Sequence, residues 1–415
     1  MSTRPFIPYA RQSINAADIA EVGRALSGDV ITRGACVEAF EKAMALYCGA
    51  QYAVAFNSGT SALLAAGYAA KISASDCLIT TPNTFVATVA MGMQRQAAPI
   101  LVDIDRDTGN LDLQQVEHTL AERRSSRGKT IIAPVHFAGI PVDMQRLDRM
   151  VRSPDAVVIE DAAHALGSRY LDGQMVGCCA WSQMTIFSFH PAKTITTGEG
   201  GLVTTNDPDL YHRLRLFRNN GIERDPSRLR ADVSAQYNGY YETQDLTCNY
   251  NFTDFQAALG LSQLQRIDQF IVKRRELMSH YRRLLHEVPN IRLFTADHDA
   301  KTAFHLCVMQ IDFAYYNISR AQVIAQLREE GVGVQVHYIP LYRHPCFQRA
   351  CGDISEYFPN MEGYYAQALS FPLYYDLSME DVEYVVQKLK DILAKSLQKK
   401  HSSASRPARG RRRRL

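Results

Sequence analysis

The sequence predicts an α/β protein in which a large domain, built on a mixed and mostly parallel sheet, is followed by a smaller C-terminal α+β domain. Three observations lead to this. Strand-like runs alternate with helically spaced segments through the first half of the chain, the pattern of a sheet covered by helices on both faces. The length, 415 residues, is about two to three times that of an ordinary domain. The composition, 46% hydrophobic and 21% charged, is that of a globular protein with a sizeable core.

The strands are read from short β-rich runs: YAVAF at 52–56, DCLITT at 76–81, PILVDI at 99–104, TIIAPV at 130–135, AVVIED at 156–161, MTIFSF at 184–189 and GLVTT at 201–205. Helical spacing fills the gaps near 60–71, 84–95, 112–124 and 143–152. The last two runs are joined only by HPAKTITTGEGG, too short for a helical crossover, so at least one antiparallel pairing is expected there. A long helical region over 253–287, with Thr253 as its cap, is expected to lead out of the sheet. Strands at 305–313 and 331–339 then mix with helices. The expected division is a large domain over 1–265, a small domain over 266–395 and a disordered basic tail over 396–415, where Ser, Lys and Arg replace apolar periodicity.

The formal charge of +3 is misleading, because Arg406, Arg409 and Arg411 through Arg414 supply six positive charges; removing them leaves −3. The body is therefore not basic enough to grip nucleic acid, and only the tail offers that chemistry. Nine cysteines without CxxC pairing or zinc spacing read as reduced thiols and give no metal site. No apolar run reaches the roughly 18 residues of a membrane helix, and the first residues lack a signal-like apolar stretch. A cytoplasmic location with no membrane partner is expected.

Three segments carry chemistry. In NSGTSALL, at a strand-to-helix turn, Gly59 permits a tight turn while Thr60 and Ser61 present amides and hydroxyls at the positive end of the helix. That arrangement suits a phosphate, although an ordinary capped turn uses the same residues. Asp161 ends the strand AVVIED at the edge where parallel sheets bind ligands; it can cap a helix or hold a ring nitrogen protonated. His164, three residues on, can touch a ligand or fill space. Lys193 lies in SFHPAKTITTGEGG between an apolar strand and a Gly-rich turn, where burial would lower its pKa and make it the neutral nucleophile that Schiff-base chemistry requires. Ser188 can add a hydroxyl to the phosphate site, and Phe85 in TPNTFVAT can stack on a flat ring. Lysine, acid and phosphate cup, in this order, are what a pyridoxal 5'-phosphate site asks of a protein.

From about residue 5 to residue 395 the chain resembles the DegT-type nucleotide-sugar aminotransferases, which have the aspartate aminotransferase fold (fold type I of the pyridoxal phosphate enzymes). The motifs that carry the likeness are NSGTSAL, TPNTFVAT, VHFAG, EDAAHALGSRY, FSFHPAKTITTGEGG, TDFQAALGLSQL and GVGVQVHYIPLY. The resemblance implies that Lys193 forms the imine with the cofactor and Asp161 pairs with its pyridinium. It also implies that Thr60, Ser61 and Ser188 hold its phosphate and that Phe85 stacks on its ring. It implies L-glutamate as amino donor, a nucleotide-sugar acceptor, and a homodimer with shared active sites in which Asn249 reaches the partner's phosphate. The chain departs from the family at Asn251, where arginine is usual, and at Ala35, where proline is common. Sugar 3-dehydratases of the same fold carry histidine in place of the imine-forming lysine, so Lys193 disfavours that chemistry.

Overall fold

The computed structural model describes residues 4–123, 128–151, 153, 155–230 and 239–404. Seven strands form the main sheet: β1 (Tyr52–Phe56), β2 (Cys77–Thr80), β3 (Ala98–Leu101), β4 (Thr130–Ile132), β5 (Ala156–Asp161), β6 (Met184–Ser188) and β7 (Gly201–Thr205), in the order β1-β7-β6-β5-β4-β2-β3. Pairings from β3 to β6 are parallel, whereas β7 runs antiparallel to both β6 and β1. The short β6–β7 connection therefore forces one reversal, and because β1 reverses again against β7, six strands point the same way. Their C-terminal ends share one edge, which brings the ends of β1, β2, β5 and β6 together.

Alternate side chains of each strand enter different cores, as the period of a strand requires. Ala53, Ala55, Phe187 and Leu202 join Phe40 and Phe252 on one face, while Val54, Phe56, Ile186 and Val203 join Leu63 and Val89 on the other. Helices α1 (Ala16–Leu26) and α2 (Ala35–Cys48) precede the sheet, and α3 (Gly59–Ala69) and α4 (Val86–Met93) follow β1 and β2. Gly67 lets α3 and α4 close up, since a Cβ there would stand 2.7 Å from the Met91 carbonyl oxygen. Helices α5 (Leu113–Glu122), α6 (Met144–Met150) and α7 (Pro208–Arg218) complete the layers.

The helical region after Thr253 is two helices rather than one. Thr253 caps α8 (Asp254–Leu264) in a reciprocal box with Gln256, and α9 (Ile267–Leu285) starts anew after Arg266. At that joint buried Asp18 accepts from Ser262 Oγ (2.6 Å), Gln263 Nε2 (2.8 Å) and Arg266 (2.5 Å), so side chains of the break are claimed by α1. Beyond α9 a three-stranded antiparallel sheet joins Ile291–Leu293, Cys307–Ile311 and Ala368–Phe371. The expected strand over 331–339 does not form. Val332 bridges Ile7 and Gln335, at the middle of the segment, bridges Ser370, so its start and its middle answer to different neighbours and no ladder runs along it. The final helix, Met379–Ala404, continues past the boundary expected at 395; residues 405–415 of the expected tail lie outside the described ones. No described helix is long and apolar enough to cross a membrane, and among the described residues no group of histidine, cysteine and acidic side chains is placed to hold a metal. All nine cysteines are free.

Candidate active site

A cavity of about 400 Å3 opens at the shared strand edge. At one end β1 runs through Asn57 into α3. Ser58 caps this helix by accepting from the Ser61 amide at 3.1 Å, which leaves the amides of Gly59 and Thr60 at the helix terminus. Ser188, at the end of β6, closes the other side. A Cβ on Gly59 would come within 3.0 Å of the Ser188 side chain, so glycine is what lets the two backbones approach. Ser58, Gly59, Thr60 and Ser188 line the cavity as a cup of hydroxyls and amides at the positive end of a helix.

Ser61 is turned away from this cup. Its hydroxyl donates to Asn57 Oδ1 at 2.5 Å and lies 2.8 Å from Ser58 Oγ, so it braces the turn, and Ser58 takes the place on the lining expected for it. Asn249 does not line the cavity of its own chain either. It bridges Asn219 across the backbone, and its Oδ1 accepts from the Asn251 amide (3.0 Å) and side chain (2.7 Å).

Buried Asp161 ends β5. Its Oδ2 accepts from Thr88 Oγ1 at 2.6 Å, and Thr88 lies 2.7 Å from Thr84 Oγ1. Oδ1 accepts from the Ala163 amide at 3.1 Å. The carboxylate is thus fixed at the cavity wall and caps no helix. Phe85, at the start of α4, is 57% exposed and lines the mouth, its ring 6.4 Å from that of Tyr338.

Lys193 projects from the β6–β7 connection. The loop folds back on Phe189, whose carbonyl accepts from Thr196 Oγ1 (2.9 Å) and the Thr197 amide (3.1 Å), and Gly198 takes a left-handed φ of 80° to complete the turn. The half-buried side chain brings its amine to the cavity wall, 3.5 Å from His305 Nε2. Burial lowers its pKa to about 8, with Asp161 pulling the other way. Burial also pushes His164 and His305 well below 6.5, with the Lys193 charge adding to it, so both are neutral near pH 7. Their rings stand 4.3 Å apart, and His164 Nε2 meets the Tyr338 hydroxyl at 3.1 Å.

The lowered lysine pKa has a consequence for stability. The folded state disfavours the ammonium, so the cost is fully present below about pH 8 and disappears above the unfolded value of 10.5. Between these values the unfolded chain binds more protons, and stability rises with pH. We expect the cofactor-free protein to gain about 3 kcal/mol from this group over that window, and Lys193→Met to abolish the gain. Urea melts of the two proteins at pH 7.5 and 10.5 measure it, and parallel pH responses would refute it.

Tyr9, Thr88, His305, His337 and Tyr338 belong to the site without having been singled out from the sequence. Nothing local in the motif QVHYIPLY places His337 and Tyr338 in the cavity that Lys193 lines. Tyr9 arrives through the N-terminal strap, whose Ile7 bridges Val332 and whose Tyr9 carbonyl accepts from the Leu373 amide at 3.0 Å.

An amine that burial keeps easily deprotonated can condense with an aldehyde, an adjacent fixed carboxylate can support a cationic ring, and the helix-end cup can take a phosphate. With a seven-stranded mixed sheet and the smaller antiparallel sheet beside it, the architecture is the aspartate aminotransferase-like class, fold type I of the pyridoxal phosphate enzymes. Within that class, the chain belongs to the DegT/DnrJ/EryC1/StrS aminotransferase family, whose profile matches residues 12–390. It is 32% identical over 389 residues to the UDP-4-amino-4,6-dideoxy-N-acetyl-beta-L-altrosamine transaminase of Campylobacter jejuni, covering 94% of this chain and 98% of that protein. Among solved structures it is similar to Helicobacter pylori PseC, an aminotransferase involved in the biosynthesis of pseudoaminic acid (TM-score 0.82, 28% identity, 94% of this chain and 100% of that one). It is also similar to the PLP form of the sugar aminotransferase Spr1654 from Streptococcus pneumoniae (TM-score 0.83, 26% identity, 94% and 100% covered).

Proposed function

We propose that this protein is a pyridoxal phosphate-dependent aminotransferase of nucleotide-linked sugars, acting in the cytoplasm. Its reaction would move the amino group of L-glutamate to the 4-keto carbon of a UDP-linked 2-acetamido-2,6-dideoxy-hexos-4-ulose. The products would be 2-oxoglutarate and UDP-4-amino-4,6-dideoxy-N-acetyl-β-L-altrosamine, a step of pseudaminic acid biosynthesis. The observation that carries the general reading is the buried Lys193 amine, its pKa lowered to about 8, sharing one cavity with the fixed Asp161 carboxylate and the Ser58–Thr60 cup. The choice of sugar rests on the similarity to the Campylobacter transaminase and to PseC.

The residues fit the cofactor. Gly59, Thr60 and Ser188 would hold its phosphate with Ser58, Phe85 would cover its ring, Asp161 would face the ring nitrogen and His164 would line the pocket beside it. When bound, the cofactor supplies an electron sink for charge developing at a substrate carbon. Lys193 Nζ then serves as the base that takes the proton from the amino-acid α-carbon, and later returns a proton in the half-reaction with the sugar. Asp161 contributes a fixed negative charge that is not lost to solvent, because Thr88 and the Ala163 amide hold both oxygens. Asn249, which does not line its own cavity, would serve the phosphate of a second copy in a homodimer with shared sites.

Incubation with glutamate and a panel of UDP- and dTDP-linked 4-keto sugars, with products identified by mass and NMR, tests the assignment. Amination of the UDP sugar supports it, whereas a deoxygenated product would convert the reading to a dehydratase. We expect Asp161→Asn to lower kcat roughly 10²-fold or more while leaving the fold intact; kcat within a few-fold of wild type would remove Asp161 from this role.

A further inference from the structure

Lys193 is not the only base in its wall. His305 Nε2 lies 3.5 Å from Lys193 Nζ, and the imidazole is 4% exposed, so this contact is made inside the protein. The ring has little freedom to leave. The His305 amide donates to the Ala138 carbonyl at 2.9 Å, and the ring packs 4.3 Å from that of His164. Behind it the buried Arg274 guanidinium reaches the carbonyls of Phe304 (3.2 Å), His305 (3.4 Å) and Leu373 (3.0 Å), and among the described residues no carboxylate pairs with it.

We propose, on the reading of Lys193 given above, that His305 is a positioning residue for that lysine, its Nε2 accepting a hydrogen bond from the amine and fixing the direction of the nitrogen lone pair. An amine at the end of four methylenes has several rotamers of similar energy. A nucleophile that must meet one carbon needs one of them selected before substrate arrives. The groups facing His305 agree with this use. Burial first, and then the charges of Lys193 and Arg274, disfavour a positive charge on the ring, which His164 and His337 face as neutral rings. Asp161, the carboxylate acting on Lys193, is engaged by Thr88 and Ala163. The ring therefore stays neutral and keeps a lone pair to offer, with its remaining hydrogen on Nδ1, an atom that has no partner among the described residues. Because the ring does not take the proton, a side chain that accepts without titrating should replace it.

Two variants separate this from alternatives: His305→Gln, which keeps an acceptor near the amine, and His305→Leu, which fills the space without one. In cofactor-free protein, the pH dependence of Lys193 labelling by an amine-directed aryl reagent, read by peptide mapping, should move to lower pH in His305→Leu, whose ammonium has lost its acceptor. It should stay near wild type in His305→Gln. In the loaded enzyme, kcat for the glutamate half-reaction should fall on the order of 10²-fold in His305→Leu with little change in KM, and within a few-fold of wild type in His305→Gln. A His305→Leu variant with wild-type labelling and rate overturns the proposal, as does a glutamine variant as impaired as the leucine one. If the leucine variant does not fold, the glutamine variant decides alone. Borohydride trapping in wild type keeps the two readings apart. No adduct on Lys193 sinks the cofactor assignment, while an adduct with an unaffected leucine variant sinks only the role of His305.

Discussion

Lys193→Ala is expected to lower kcat on the order of 10⁴-fold or more, to a level indistinguishable from background, while the protein remains folded. The two halves of this expectation have separate causes. On the proposed reading activity disappears because the amine would both anchor the cofactor and move the α-proton, and among the described residues no other primary amine lines the cavity. The fold survives because Lys193 contributes little to holding the protein together. Among the described residues its amine makes one hydrogen bond, to His305, and its lowered pKa reflects a desolvation cost of placing it there. Circular dichroism and urea melts check the second half. Stopped-flow absorbance of the bound cofactor with glutamate checks the first; measurable single-turnover transamination by the variant without added amine would end the assignment. Borohydride reduction of wild type followed by peptide mapping gives the complementary result, an adduct at position 193.

The second large effect is on stability. Glu160, immediately before Asp161, points to the opposite side of β5 and is fully buried. Its Oε2 receives Tyr170 OH at 2.6 Å and faces His136 Nε2 at 2.8 Å, and its Oε1 receives Thr185 Oγ1 at 2.9 Å and Ser182 Oγ. Val142 donates its amide to His136 Nδ1 at 3.0 Å, so the ring's other nitrogen carries the hydrogen that meets Glu160. Burial alone would raise the Glu160 pKa, but the hydrogen bond from His136, then those from Ser182 and Tyr170, more than offset it and leave the carboxyl below its ordinary 4.5. Glu160→Ala removes one buried carboxylate and takes the acceptor from four donors in a dry interior. We expect a loss of about 3–5 kcal/mol, seen as a lower urea midpoint at unchanged slope. The sign of its pH dependence follows from the lowered pKa: the stabilisation is present above the unfolded value near 4.5 and is lost as pH falls through the folded one. The gap between wild type and variant should therefore narrow only in acid. A gap under 1 kcal/mol at pH 7 would mean that the network relaxes or rehydrates without cost.

The same network helps to aim the site. The His136 amide donates to the Asp161 carbonyl at 3.0 Å, and the Asp161 amide donates to that of Pro134 at 2.9 Å, so the backbone bearing the carboxylate is tied to the strand that Glu160 grips by its side chain. Loss of Glu160 should thus weaken cofactor retention as well as stability.

Taken alone, the sequence determined what neighbours along the chain can determine. Alternation and punctuation placed β1, β5 and β7 at their observed bounds, because a strand or a cap is set by residues within a few positions of one another. The short β6–β7 connection dictated an antiparallel pair, and Asp161 and Lys193, singled out by their chemistry, line one cavity. The tertiary structure decided the rest. Thr88 meets Asp161 across 73 positions and His305 meets Lys193 across 112, pairings that packing alone selects. It also turned Ser61 inward, divided the helical region where Asp18 claims the joint, and dissolved the expected strand at 331–339 between two competing neighbours. A hydrogen bond between distant residues leaves no period in the chain, since neither partner's local surroundings record the other until the fold has brought them together.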